Sequence, residues 1–255
     1  MDNFWKKQAL EFGSDVKAVN FDLLEETLEF IELEKLIENH SFIGDLGCGN
    51  GRATLYLAEK YPSKKFVGFD FIPEMIDIAN NEKDRLGLKN VTFHVGDFSN
   101  LGVNDAYEYA FDFIFTKRLL INLKGDSKNN GFENITSMLK PQGEYAMIEC
   151  FIEPLDRINQ IRENIKLSKI NVNFFNEYLT DSFLNFAKSK LNFVKTIDFE
   201  SFYYFNSRVL NAALTEGTPD YFAPINKLSI DLLVQNIAPE VKGYSPEVIH
   251  IFTKS

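Results

Sequence analysis

Histidine, cysteine and tryptophan are scarce in this chain, whose 255 residues hold three His, two Cys and one Trp. With so few imidazoles and thiols, no His/Cys/Asp/Glu group falls at metal-ligand spacing, and metal-independent chemistry is the expectation. Cys48 and Cys150 are expected to be free thiols rather than a bridge. No apolar run approaches the ~20 residues that cross a bilayer. The opening stretch MDNFWKKQALEFGSD has no apolar core of the signal-peptide kind, so a cytoplasmic location is expected. Positive charge is also short: 27 Lys and Arg stand against 37 Asp and Glu, a net charge of −10. That balance argues against a nucleic-acid backbone or an anionic membrane as partner, while leaving room for a local basic pocket. Repeats, low-complexity tracts and proline-rich linkers are missing as well, which predicts one unit over residues 1–255.

What is present is a βα beat. The amino-terminal residues 1–40 read as a helical cap. Leu24, Leu28 and Ile31 share one helical face, with Glu25, Glu26, Glu29 and Glu32 mostly elsewhere. From Ser41 short apolar runs alternate with amphipathic stretches, the pattern of a mostly parallel sheet covered by helices on both sides. Strands are predicted at 42–46, 65–70, 91–97, 111–116 and 144–150. Helices follow at 52–61, at 73–87 with Pro73 in its first turn and Gly87 at its end, and around 131–140. Residues 41–150 thus form a ligand-binding core. After Cys150 the beat is lost: 151–190 and 206–244 read as an insertion or cap over the strand ends, with strand-like alternation in FVKTIDFESFYYF and EVIHIFTK.

Three glycines crowd into Asp45-Leu46-Gly47-Cys48-Gly49-Asn50-Gly51, at the end of the first strand and the start of a helix. In an open α/β sheet that is where ligands settle. Glycine there suits a tight turn lying against a ligand, with N–H groups facing an anionic group. The spacing is G-x-G-x-G rather than the dinucleotide fingerprint G-x-G-x-x-G. A P-loop would need Lys-Ser/Thr after the last glycine, where Arg52 and Ala53 stand. A nicotinamide oxidoreductase is therefore disfavoured.

DLGCGNG resembles the first motif of class I S-adenosylmethionine-dependent methyltransferases, and further landmarks fall in step with it. Asp70 closes FVGFD and Asp97 closes FHVGDF. The resemblance implies a Rossmann-like, seven-stranded, mostly parallel α/β sheet and S-adenosylmethionine as cofactor. It gives Asp70 the ribose hydroxyls, Phe71 a flank of the adenine, and Asp97, followed by Phe98, the adenine amino group. Asp45 would orient the loop, with Gly47, Cys48, Gly49 and Gly51 against the methionine end. Phe12 lies in a segment similar to the amino-terminal cap of such enzymes. Met75 either packs or edges into the pocket.

Methyl transfer from a sulfonium asks mainly for alignment and dryness. An alcohol acceptor also needs a proton acceptor. Thr116, Lys117 and Arg118 follow the fourth strand and are expected to touch the cofactor or an anionic acceptor, or to form a solvated loop. Arg118 is also a candidate catalytic residue. Glu149, ending the fifth strand, is the best-placed candidate base, an ion pair or helix cap being its other role. RLLINL, NFFNEYL and FYYFNSRVL loosely resemble methyltransferases of bacterial surface-glycan and capsule biosynthesis, which implies a small-molecule acceptor with an oxygen on a sugar or a group attached to one. Tyr178, Tyr204 and Arg208, together with Asn176, Tyr203, Ser207 and Asn226, suit such a substrate or a phosphorylated or phosphoramidate-type precursor. An inactive, cofactor-binding partner subunit is a further alternative.

Overall fold

The computed structural model describes residues 2–19, 22–99 and 107–255. Helices α1 (Asp2–Phe12) and α2 (Leu23–Leu36) precede the first strand. Five strands with three helices between them then follow: β1 (Phe42–Leu46), α3 (Arg52–Lys60), β2 (Lys65–Asp70), α4 (Pro73–Leu86), β3 (Val91–Val95), β4 (Phe111–Lys117), α5 (Asp126–Met138) and β5 (Leu139–Cys150). The remainder is α6 (Ile152–Asn164), α7 (Asp181–Lys190), β6 (Asn192–Ile197), α8 (Ser201–Phe205), a π-helical turn Asn206–Asn211, α9 (Ala212–Leu214), α10 (Pro224–Val234) and β7 (Glu247–Thr253). The strands join one seven-stranded sheet in the order β3-β2-β1-β4-β5-β7-β6, as expected for the resemblance. β7 runs antiparallel to both of its neighbours and every other pairing is parallel.

Local chemistry explains the boundaries. Pro73 opens α4, and Gly87 ends it in a left-handed conformation (φ 69°) while its N–H meets the carbonyls of Lys83 and Asp84. The predicted spans of β1 and β2 coincide with the observed ones. β5 starts earlier than expected, at Leu139, directly after Met138, because Leu139 already pairs with Phe111 before a register shift lets Glu144 pair with Phe113. The expected strand over 193–205 stops at Ile197. Beyond it, Asp198 accepts the Ser201 N–H (3.1 Å) and hydroxyl (2.8 Å), which turns Ser201–Phe205 into a helix with Tyr203 and Tyr204 both buried.

Alternation along the strands splits the core into two layers. Ile43, Phe66, Phe113, Phe115 and Ile148 face α2, α3 and α4, where Leu33, Leu57 and Ile76 meet them. Val67, Phe69, Ile114, Met147 and Phe252 face α5 and α7 through Phe132, Ile135, Phe183 and Ala187. The 151–190 stretch is thus not all cap, since α7 belongs to the helical layer under the sheet. α2 also departs from its predicted face: Leu28 and Leu33 are buried, and so are Glu26 and Glu29. Charged residues sit on the inner side there because they have partners. Arg52 forks onto Glu26 (3.0 and 2.6 Å), and Lys117 and Arg118 bind Glu29.

Gly68, in the middle of β2, has no room for a side chain, since a Cβ there would lie 2.5 Å from the Phe93 ring and 3.0 Å from the Cys48 sulfur. Gly68→Ala is expected to lower stability by about 1–3 kcal/mol, the usual cost of overpacking. A urea denaturation midpoint unchanged from wild type would contradict this packing.

Candidate active site

The carboxyl ends of β1 and β4 are neighbours in the sheet, and their connections leave in opposite directions, which opens a crevice. Into it projects the loop 47–51. The N–H groups of Gly47 and Cys48 both donate to the Phe69 carbonyl at 2.8 Å, so the turn is pinned to the end of β2. Gly47, Gly49 and Gly51 all have positive φ (82°, 54° and 79°), which side chains resist. A Cβ on Gly49 would also come 2.8 Å from Val19. Asn50 ties the loop to the amino-terminal segment by donating to the carbonyls of Gly13 (3.0 Å) and Asp15 (3.2 Å).

A cavity of about 290 Å³ follows, close to the lower end of roughly 300–1,000 Å³ for small-molecule sites. At one end it is walled by Gly47, Cys48, Gly49, Asp70, Phe71 and Met75, roofed by Trp5, Ala18 and Val19. Asp70 accepts the N–H groups of Gly49 and Ile72, each at 2.9 Å, one on each oxygen. Each oxygen keeps a lone pair for a further donor. Burial pushes Asp70 up to about 6, against the N–H bonds from Ile72 and Gly49 that hold it down. A bare-backbone cradle, a carboxylate and an apolar flank are the groups that a sulfonium nucleoside needs: close backbone approach, an acceptor for a pair of hydroxyls, and a dry bed for a purine. The residues present fit that cofactor.

Several expected cofactor residues lie elsewhere. Asp45 sits beneath the loop and accepts the Thr54 hydroxyl at 2.5 Å; burial pushes it up to about 7. Its reach is toward the start of α3, so its effect on a ligand passes through the loop. Gly51 is packed against Ala79 and Phe93. Thr116 is buried and bonded to the Tyr145 hydroxyl at 2.8 Å. Phe98 is buried under β2 beside Phe69, and Phe12 packs with Ile72 and Met75; neither walls the cavity. Asp97 is exposed, takes the Ser99 N–H at 2.8 Å and does not line the cavity either.

The other end is walled by Glu25, Arg118, Cys150, Tyr178, Tyr204, Arg208 and Glu247, with Lys117, Ile121, Asn122, Phe175 and Asn176 alongside. Its cations are all engaged. Lys117 Nζ binds Glu29 at 2.6 Å; one Arg118 nitrogen, Nη1, binds both Glu29 and Glu247 at 2.5 Å; Arg208 binds Asp22 at 2.9 Å and lies over the Tyr204 ring. Burial alone would raise Glu29, yet the Arg118 and Lys117 charges hold it at about 2. Of the weaker candidates, Tyr203 donates to Asp22, Ser207 accepts from Arg208, and Asn226 donates to the carbonyls of Asp220 and Tyr221, so these three serve the cap itself.

Glu149 is the main correction. It is fully buried, away from the cavity wall, and its oxygens accept the backbone N–H groups of Leu119 (3.0 Å), Leu120 (2.9 Å) and Ile121 (3.2 Å). It caps the turn after β4, the alternative role its position allowed, and does not line the cavity. Arg118 lines the cavity but is a structural tie rather than a free catalytic cation. Sequence reasoning passed over Glu25, Glu247, Asn122 and Trp5. The one local signal was Glu25, three residues after the N-cap Asp22.

Residues 37–199 match a family model described as "Methyltransferase domain". The chain belongs to this family, in its class I S-adenosylmethionine-dependent form. Among curated relatives it is 32% identical over 120 residues to 2-heptyl-1-hydroxyquinolin-4(1H)-one methyltransferase of Mycobacteroides abscessus, covering 46% of this chain and 51% of that protein. It is equally 32% identical over 120 residues to trans-aconitate 2-methyltransferase of Escherichia coli, covering 46% of this chain and 43% of that one. The chain thus matches about half the length of these relatives. Among solved structures, geranyl diphosphate C-methyltransferase of Streptomyces coelicolor A3(2) shares the fold (TM-score 0.62, 13% identity, 100% of this chain and 97% of that one). An N-methyltransferase of Bradyrhizobium japonicum in complex with S-adenosyl-L-homocysteine does too (TM-score 0.58, 12% identity, 99% and 98%).

Two outcomes follow for this methyltransferase domain. Glu149→Gln puts an amide donor against N–H groups and is expected to cost about 1–3 kcal/mol, read as a lower thermal midpoint, with S-adenosylhomocysteine affinity kept. Unchanged stability with lost turnover would restore Glu149 as a base. Gly49→Ala is expected to weaken S-adenosylhomocysteine binding at least tenfold by isothermal titration, since the new methyl group meets Val19; equal affinity would contradict the cradle.

Proposed function

We propose that this methyltransferase domain transfers the methyl group of S-adenosylmethionine to an oxygen of a small, uncharged, hydroxyl-rich acceptor such as a sugar, in keeping with its resemblance to methyltransferases of surface-glycan and capsule biosynthesis. The observation that carries this reading is the polarity of the acceptor chamber. Asn122 Oδ1, Asn176 Oδ1 and Glu247 Oε1 are buried without a hydrogen-bond partner, and each belongs to a residue that lines the cavity. A buried acceptor left unpaired costs about 1–3 kcal/mol, so a bound donor that reaches one of them is favoured. Hydroxyl groups are such donors, and the half-buried Tyr178 ring lines the same chamber.

The cofactor supplies an activated methyl group on a positively charged sulfur. Gly47 and Gly49 hold its amino-acid end close to backbone, and Asp70 takes its ribose hydroxyls. Trp5, Val19 and Phe175 keep water out, and the unpartnered oxygens orient the acceptor, so alignment supplies most of the acceleration. The second reading, an anionic phosphorylated or phosphoramidate-type acceptor, loses its support because Lys117, Arg118 and Arg208 are each neutralised by Glu29, Glu247 or Asp22. The two named curated relatives act on unlike molecules, a hydroxyquinolone and trans-aconitate, so membership of the family does not choose between them.

Labelled transfer to a panel of matched acceptors tests this reading. Neutral glycosides are expected to have a kcat/KM at least tenfold above that of the corresponding sugar phosphates. Preference for the phosphates, or no saturable binding of S-adenosylhomocysteine, would overturn it.

A further inference from the structure

One acid of the chamber is unlike the rest. Asp22 accepts from Tyr203 and Arg208, Glu29 from Lys117 and Arg118, and Glu247 accepts Arg118 on Oε2. The Glu25 carboxylate lines the same cavity and takes no hydrogen bond from any described residue. A glutamate at this third helical position commonly turns back onto the cap residue's N–H. Here only its backbone is used, donating to Asp22 Oδ1 at 3.2 Å, while the side chain points to the chamber. Of the four carboxylates Asp22, Glu25, Glu29 and Glu247, three pair with Lys117, Arg118 or Arg208, and among the described residues Glu25 makes no ion pair.

We infer that Glu25 receives the proton of the acceptor during methyl transfer, while the unpartnered Oε1 of Glu247 holds a neighbouring donor of the same acceptor. This rests on the methyl-transfer reading above. The acceptor's oxygen lone pair forms the new O–C bond as the S–C bond breaks and its electron pair stays on sulfur. The O–H proton passes to the Glu25 carboxylate and leaves later to water. The atoms and charges balance: the sulfonium's positive charge departs as a proton, and the product is a neutral ether beside a neutral thioether.

The surroundings set when this acid is ready. Burial pushes Glu25 up to about 7, with Arg118 and Arg208 pulling it back and Asp22 and Glu29 pushing it further. Glu247 from β7, Cys150 from β5, Glu200 before α8, and Tyr178 and Tyr204 of the cap also face it, and Lys117 sits across Glu29. A base must be ionised to accept, so transfer rises as pH climbs through the Glu25 value.

Wild type, Glu25→Gln and Glu25→Asp are compared with methyl α-D-glucopyranoside as acceptor probe. All three are expected to bind S-adenosylhomocysteine within twofold of each other; no binding by wild type sinks the parent reading, whereas loss confined to the Glu25 variants overturns this one. Glu25→Gln is expected to transfer at least 100-fold more slowly, in line with the roughly 10²–10⁴-fold supplied by general bases, and to lose the inflection near pH 7. Glu25→Asp should recover part of both. Equal rates and pH profiles in wild type and Glu25→Gln overturn the inference. A readout free of turnover runs beside it. In the S-adenosylhomocysteine complex with side-chain ¹³C-labelled glutamate, the carboxyl resonance lost in Glu25→Gln should titrate near 7. If neither protein methylates the glucoside this titration decides, and a carboxylate titrating below about 5 also overturns the inference.

Discussion

A single guanidinium holds the acceptor side together. Arg118 leaves the end of β4 with φ of 56°, a left-handed conformation that costs a non-glycine residue about 1–2 kcal/mol. The conformation persists because Arg118 is fixed from several sides. Its N–H donates to Ile148 at 2.9 Å, and its Nη1 bridges Glu29 of α2 and Glu247 of β7. Breaking a buried pair by removing one partner costs about 3–5 kcal/mol, more than the backbone strain it offsets. The sheet, the amino-terminal helix and the last strand therefore meet at one charge, and the acceptor chamber is the space around it.

The same tie explains the chemistry left over for a ligand. Arg118 and Lys117 satisfy both oxygens of Glu29 but only one oxygen of Glu247, and Arg208 turns to Asp22 under the Tyr204 ring. Positive charge that looks available in the sequence is thus neutralised inside the protein, while Asn122 Oδ1, Asn176 Oδ1 and Glu247 Oε1 stay unpaired among the described residues. A chamber of this polarity discriminates by demanding hydrogen-bond donors, since Lys117, Arg118 and Arg208 are already paired. Specificity of that sort works through the penalty on a wrong ligand, which leaves buried oxygens unfilled.

How much of this was legible follows from the range of each interaction. β1 and β2 were placed to the residue because their apolar runs end at glycine, proline or lysine boundaries that act locally, and the glycine loop announced itself within seven residues of Asp45. Asp70 was legible for the same reason, standing at the end of a strand. The acids were not. Glu29 meets Lys117 across 88 positions and Arg118 meets Glu247 across 129, so nothing near Glu29 or Glu247 signals burial. Hydrophobic periodicity put the glutamates of α2 on the solvent side, and the distant partners reversed that. Glu149 failed as a base for a related reason: its place at a strand end was right, but the turn after β4 brought three N–H groups onto it. FESFYYF alternated like a strand until Asp198 supplied a helix-starting bond.

Closure of the cavity and the basicity of Glu25 are one property. The roof is α1 and the stretch after α6, joined by the Phe4–Phe175 stack at 4.2 Å and the Trp5–Phe175 edge contact at 5.6 Å. Both pieces are tied to the frame: Lys6 pairs with Glu74 at 2.5 Å and Asn50 anchors the segment after α1, while Glu177 donates its N–H to Ile121 and accepts from Lys128. Were those rings to part, water would reach the chamber. Water stabilises an ionised carboxylate and draws its pKa back toward the ordinary range, so an open chamber makes Glu25 a weaker base. With the rings in contact, the low dielectric raises the proton affinity of Glu25 and favours exclusion of bulk water. In the proposed role of Glu25, proton acceptance and alignment would thus depend on the same aromatic contacts.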